Sequence, residues 1–124
     1  MLTTGVDLIE ISRIERALER YGDRFLARVF TPNEIFYCRG RVAELAARFA
    51  AKEAISKALG VGMRVLARDG IYWQDVEVIG DHRGKPIVRL SGRAAERAEE
   101  LGLTEWAVSL SHTHEHAIAF VVAQ

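Results

Sequence analysis

The sequence predicts an α+β fold: a small, mostly antiparallel sheet with one long central helix. Three observations carry that expectation. Residues 41–60, RVAELAARFAAKEAISKALG, have helical length and periodicity. Two strand-turn-strand patterns fill much of the second half, at 71–90 and 106–122. The resulting order, βααα, ββ, α, ββ, groups strands as hairpins and points to antiparallel pairing.

Residues 3–11 are β-branched and apolar enough for a strand, and Ser12 stands where it would cap a helix reaching Tyr21, which Gly22 ends. Residues 24–30 read as a second short helical stretch. Thr31-Pro32-Asn33-Glu34 then combines an N-cap, a proline at the first helical position and a capping box. The long helix follows, with Gly60 and Gly62 suited to its C-cap and a turn because glycine accepts positive φ without a Cβ clash. Residues 71–79 read as a strand, His82-Arg83-Gly84-Lys85 as a turn and 86–90 as the returning strand. A helix over 92–101 precedes two final strands, 106–113 and 116–122, around a second tight turn.

At 124 residues and 49% hydrophobic content, the chain is expected to form one domain over 1–124 with a modest core, to which self-association would add burial. Lys plus Arg and Asp plus Glu both total 17, so no global charge favours nucleic acid or an anionic membrane. Five arginines at 13, 16, 20, 24 and 28, interleaved with Glu15, Glu19 and Asp23, read by default as a solvated helix face. Cys38 is the one cysteine, which suits a reducing compartment. The opening MLTTGVDLIE lacks the pattern of a secretory signal, and the apolar run 117–123 is far too short to span a bilayer. A cytoplasmic location is the expectation.

The chemistry is sought where the patterning is violated. At about 100° per residue, Val42, Ala46 and Phe49 lie within about 40° of Glu53, which places a carboxylate in a stripe that calls for buried side chains. Asp7, in GVDLIEI, shares a strand face with Ile9 and Ile11 and is flanked by Val6 and Leu8. Two buried carboxylates repel unless a proton or cation lies between them, and oxygen-only ligands favour Mg²⁺. The structural alternative is that Asp7 caps a turn and Glu53 pairs with Lys57 at i, i+4. Periodicity leaves both open. Lys57 followed by Gly60 and Gly62 would suit a phosphate, or would be a solvated lysine before a helix stop. His112 falls on the face of Trp106, Val108 and Leu110, where a hydrogen-bonded core histidine is the ordinary reading. With His114 and His116 it forms an HxHxH string that would hold a soft metal only if the three shared a face, and turn residues intervene.

Taken together, GVDLIEISRI at 5–14, RFAAKEAISKALG at 48–60, WQDVEV at 73–78, GKP at 84–86 and SLSHT at 109–113 resemble, in order and spacing, the bacterial holo-[acyl-carrier-protein] synthases. The resemblance spans nearly the whole chain. It implies the 4'-phosphopantetheinyl transferase fold and a reaction that moves the phosphopantetheine arm of coenzyme A onto a serine of apo-acyl carrier protein. By the same resemblance Asp7 and Glu53 match Mg²⁺ ligands, Lys57 a lysine near the diphosphate, and Arg48 and His112 positions that meet coenzyme A phosphates. Arg13 and Arg24 match carrier-docking positions, as does Arg20 with a one-residue gap. The resemblance also implies a homotrimer with sites in the clefts between subunits; His114 and His116 receive no role. Two rival functions remain: a Mg²⁺-dependent phosphohydrolase using the same carboxylates and lysine with water as nucleophile, and a noncatalytic coenzyme A-binding module that keeps the basic groups without needing the metal.

Overall fold

The computed structural model describes residues 1–63 and 70–124. Along the chain come β1 (Thr3–Glu10), α1 (Ile11–Tyr21), α2 (Asp23–Val29), α3 (Pro32–Cys38), α4 (Val42–Ala58), a 3-10 turn (Trp73–Asp75), β2 (Val76–Gly80), β3 (Pro86–Leu90), α5 (Gly92–Glu100), β4 (Trp106–His112) and β5 (His116–Ala123). Strand β5 lies between β1 and β4, antiparallel to both, and β2 pairs with β3 as a separate hairpin. The fold is α+β with antiparallel sheets, as expected, but the strands form two sheets where one was anticipated.

Several boundaries differ for identifiable reasons. Ile11 opens α1 instead of closing β1, and Ser12 does not cap it. The Ile11 N–H donates instead to the Glu115 carbonyl at 2.8 Å, so one of the free donors at this helix start is met by backbone. The capping box at Thr31 and Glu34 forms as expected, with Glu34 N–H donating to Thr31 Oγ1 at 3.2 Å and Thr31 N–H to Glu34 Oε1 at 2.9 Å. It opens a separate helix α3, which stops where Arg39 and Gly40 take positive φ, so among the described residues four helices precede the hairpin where three were expected. The strand expected over 71–79 begins only at Val76. Ahead of it the chain turns, with Asp75 Oδ2 accepting from Tyr72 N–H at 3.2 Å.

Helix α4 does not present one apolar stripe. Eleven of its 17 residues are buried, on nearly every side, and six of those are alanines. Small side chains let neighbouring elements approach the helix closely, and β1 does so most tightly at Gly5, where an added Cβ would stand 1.9 Å from the Ala54 carbonyl oxygen. Two residues earlier, Thr3 Oγ1 donates to the Ala58 carbonyl at 2.9 Å, satisfying an acceptor in the last turn of the helix. The least buried line along α4 runs through Val42, Phe49, Glu53 and Lys57. Glu53 therefore does not sit in a buried stripe; it lies half-buried on the line that the packing leaves open.

Candidate active site

Asp7, Glu53 and Lys57 come together where β1 crosses α4. Gly5 and Ile9 are buried on the inner face of β1, and Asp7 lies between them with its side chain 19% exposed, while Val6 and Leu8 point out to solvent. From the last turn of α4, Lys57 Nζ donates to Asp7 Oδ1 at 3.0 Å and to the Val6 carbonyl at 2.9 Å. Among the described residues its ion pair is with Asp7, so the i, i+4 pairing with Glu53 is not the one formed. Burial pushes the Glu53 carboxyl above its ordinary pKa, and the charge of Asp7 pushes it the same way, against the opposing pull of Lys57 and Arg13. Two acidic groups thus feel each other across a partly desolvated gap, with one ammonium already attached to one of them.

A second cluster lies farther along α4. Arg48, 2% exposed, donates from Nε to the Val78 carbonyl at 2.9 Å and from Nη1 to Glu44 Oε2 at 2.9 Å. Its guanidinium stands 4.5 Å from the centroid of the Tyr37 ring. A cavity of about 290 Å³ beside it is walled by Tyr37, Arg48, Gly84, Pro86 and His112 among others. His112 is exposed at the end of β4, not a core histidine, and it also borders a neighbouring cavity of about 350 Å³ with Ile11, Ala43 and His114. Gly60, at φ +70, ends α4 on the side of Arg97, whose Nε donates to the Leu59 carbonyl at 3.0 Å.

Arg13, Arg16, Arg20, Arg24 and Arg28 are all exposed on α1 and α2, the solvated face their interleaved charges suggest. Arg13 is close enough to Glu53 to act on its ionisation. Arg24 and Arg28 line a cavity of about 340 Å³ with Tyr21 and Phe25, and Arg20 stacks over Tyr21 at 5.4 Å. The HxHxH string gives no metal centre: the Thr113 hydroxyl accepts from the N–H groups of Glu115 and His116 in a tight turn. Among the described residues no three His, Cys, Asp or Glu side chains gather to hold an ion. Burial pushes the Cys38 thiol up to about 11, which removes it as a nucleophile.

Sequence reasoning missed the most deeply buried ionic group. Lys52 and Glu34 are fully buried and paired at 2.7 Å. Lys52 Nζ also donates to the carbonyls of Trp73, at 3.0 Å, and Val76, while Val78 N–H donates to Glu34 Oε2 at 2.8 Å. Burial lowers the Lys52 pKa and Glu34 opposes that shift. The available signal was the row Arg48, Lys52, Ser56 at i, i+4 spacing, a polar line on an alanine-rich helix.

The model of the 4'-phosphopantetheinyl transferase superfamily matches residues 3–121. The chain is 53% identical to a holo-[acyl-carrier-protein] synthase of Herpetosiphon aurantiacus, covering 98% of both chains, and 50% identical to one of Moorella thermoacetica, covering 100% and 94%. Among solved structures, the Helicobacter pylori holo-[acyl-carrier-protein] synthase in complex with coenzyme A superposes with a TM-score of 0.86 at 32% identity, over 98% of this chain and 99% of that one. A Bacillus anthracis holo-(acyl-carrier-protein) synthase in complex with CoA (3',5'-ADP) gives 0.76 at 37% identity, over 98% and 94%. Matched along almost its entire length in both sequence and fold, the chain belongs to the 4'-phosphopantetheinyl transferase superfamily.

Proposed function

We propose that the site between β1 and α4 transfers the 4'-phosphopantetheine arm of coenzyme A to a serine of apo-acyl carrier protein, releasing adenosine 3',5'-bisphosphate. The observation that carries this assignment of residues is the convergence of Asp7, Glu53 and Lys57 at one half-open point, about one and a half to two and a half turns along α4 from Arg48 and its cavity. The family and its coenzyme A-bound relatives support the same reaction.

Asp7 and Glu53 offer only hard oxygen donors, and Asp7 disfavours charge on Glu53, so the donor set fits Mg²⁺, which accepts one or two carboxylates beside water and phosphate oxygens. When bound, the ion would neutralise charge on the diphosphate oxygens. Lys57, its side chain 54% exposed, can turn from Asp7 to the diphosphate and meet the charge that builds as the serine oxygen bonds to the β-phosphorus and the bond to the leaving phosphate breaks. The serine proton would pass to Glu53, to Asp7 or to a water beside the pair. Arg48 and His112 would hold phosphates at the adenosine end, and Arg13, Arg20 and Arg24 would guide an acidic carrier toward the site. Incubating the protein with apo-acyl carrier protein, coenzyme A and Mg²⁺ should add one phosphopantetheine arm to the carrier by intact mass. Free phosphate with an unlabelled carrier would support a hydrolase instead; binding without turnover would support a noncatalytic module.

We also propose that the chain assembles as a homotrimer, and the outer face of the sheet supports self-association. Val6 and Leu8 on β1 are 48% and 61% exposed, and their register partners Phe120 and Ile118 on β5 are 45% and 39% exposed. Four apolar side chains in adjacent positions form a patch of the kind that self-association covers. It lies on the opposite face of the strand that carries Asp7. Light scattering should return three times the chain mass for the protein and a smaller mass for Phe120→Glu; a monomeric mass for the unmodified protein would overturn the assembly.

A further inference from the structure

Among the described residues, strand β2 has a strand neighbour, β3, on one side only. Along its other edge, where a third strand would stand, its backbone groups meet side chains from two helices. Val76 offers its carbonyl to Lys52, Val78 offers its N–H to Glu34, and the Val78 carbonyl accepts from Arg48. Alternate residues of a strand direct their backbone groups to the same edge, so Val76 and Val78 present these groups together. Glu34 and Lys52 are themselves joined and wholly buried, and Lys52 adds the Trp73 carbonyl just before the strand. Three charged side chains thus do the work of a neighbouring strand. The hairpin they fasten carries Gly84 and Pro86, which wall the cavity shared by Arg48 and His112.

We propose that Glu34 and Lys52 are positioning residues for that cavity: by clamping the open edge of β2 they hold the hairpin turn and the Arg48 guanidinium at the spacing that binds the phosphate-bearing adenosine end of coenzyme A. The inference rests on the assignment of the cavity under the proposed function. Val78 is its hinge point, since Glu34 grips the N–H and Arg48 the carbonyl of one residue. Loosening one grip frees the other. Neither Glu34 nor Lys52 lines the cavity, so their effect must pass through the hairpin.

The test compares Lys52→Met, of similar length but unable to donate, with Lys52→Arg, which restores donors, measuring coenzyme A binding by calorimetry and transfer kinetics well below the melting temperature. Lys52→Met should raise Kd and KM for coenzyme A about tenfold while kcat at saturating coenzyme A changes by less than about threefold. Lys52→Arg should recover much of that affinity. Hydrogen exchange at the Val78 amide should quicken in Lys52→Met relative to amides in the middle of α4. If Lys52→Met does not fold, Glu34→Gln, which keeps an acceptor for Val78, should shift Kd in the same direction by less. A lowered melting temperature with unchanged Kd, or a fall in kcat at unchanged Kd, would overturn the proposal. His112→Ala serves as the control for the cavity itself: a weakened Kd there supports its assignment, and an unchanged one overturns that assignment whatever Lys52 does.

Discussion

Replacing Glu53 by glutamine is expected to lower phosphopantetheine transfer by on the order of 10²- to 10³-fold at saturating coenzyme A and Mg²⁺, with the fold intact. The side chain is half-buried beside Asp7, and glutamine keeps its volume while removing the charge that a cation would meet. Stability should move the other way. The folded pKa of Glu53 is raised above its ordinary 4.5 by burial first and by Asp7 second, so the folded state holds this proton more tightly than the unfolded chain. Its contribution to stability is then fully present below about pH 4.5 and is lost as pH rises through the raised value. In chelator, Glu53→Gln should melt above the unmodified protein at neutral pH, and the difference should close as pH falls through that window. Added Mg²⁺ should raise the melting temperature of the unmodified protein and leave the variant nearly unmoved. Full transfer activity in Glu53→Gln would remove the carboxylate pair from the mechanism.

Gly5→Ala should be severely damaging, for the space beside the glycine is already filled by backbone. Its Cβ would meet the Ala54 carbonyl oxygen at 1.9 Å, the Ala54 carbonyl carbon at 2.9 Å and the Ala58 nitrogen at 3.1 Å, all of them backbone. No rotamer relieves such an overlap; the strand must leave the helix. Overpacking costs about 1–3 kcal/mol where side chains can yield, and here the upper end or more is expected, a fall of roughly 10 °C or greater in Tm. Transfer should fall with it even where the variant remains folded, because a retreating β1 carries Asp7 away from Glu53. Mn²⁺ binding followed by electron paramagnetic resonance should weaken in parallel. A variant that melts and binds metal like the unmodified protein would show that the close approach of β1 and α4 is not what aligns the site.

Much of the site was legible because its residues break local patterns. Asp7 is an acid on the inward face of β1 beside Ile9, as read, whereas Ile11, expected on the same face, opens α1 and Gly5 takes the other flank. Glu53 drew notice for a reason the structure corrects: periodicity treats an alanine-rich helix as if it had one apolar stripe, whereas α4 is surrounded, and what distinguishes Glu53 is the gap in that surrounding. Lys57 could not be assigned its partner from spacing, because the pair with Asp7 depends on how closely β1 crosses α4. Lys52 was missed since a lysine inside a helix reads as solvated by default, and only the tertiary position of Glu34 and β2 makes it a buried cross-link. The turn at Trp73–Asp75 was hidden for a similar reason, as apolar and aromatic residues there mimic a strand while the backbone answers to Lys52 and Asp75.

The buried clamp also bears on angular freedom. Lys52 and Glu53 are consecutive, so their side chains leave α4 about 100° apart, one tied at three points beneath the hairpin and the other close to Asp7. A helix packed mainly through alanine has few protruding side chains to stop it from rolling about its own axis. With its side chains reaching about 6 Å from that axis, a roll of about 10° would swing the Glu53 carboxylate by about 1 Å, a displacement of the size that costs enzymes about 100-fold in rate. The Lys52 tether shares this task with Arg48 on the Val78 carbonyl and Thr3 on the Ala58 carbonyl, so the aim of the carboxylate is set from other faces of the helix and survives the loss of one tether.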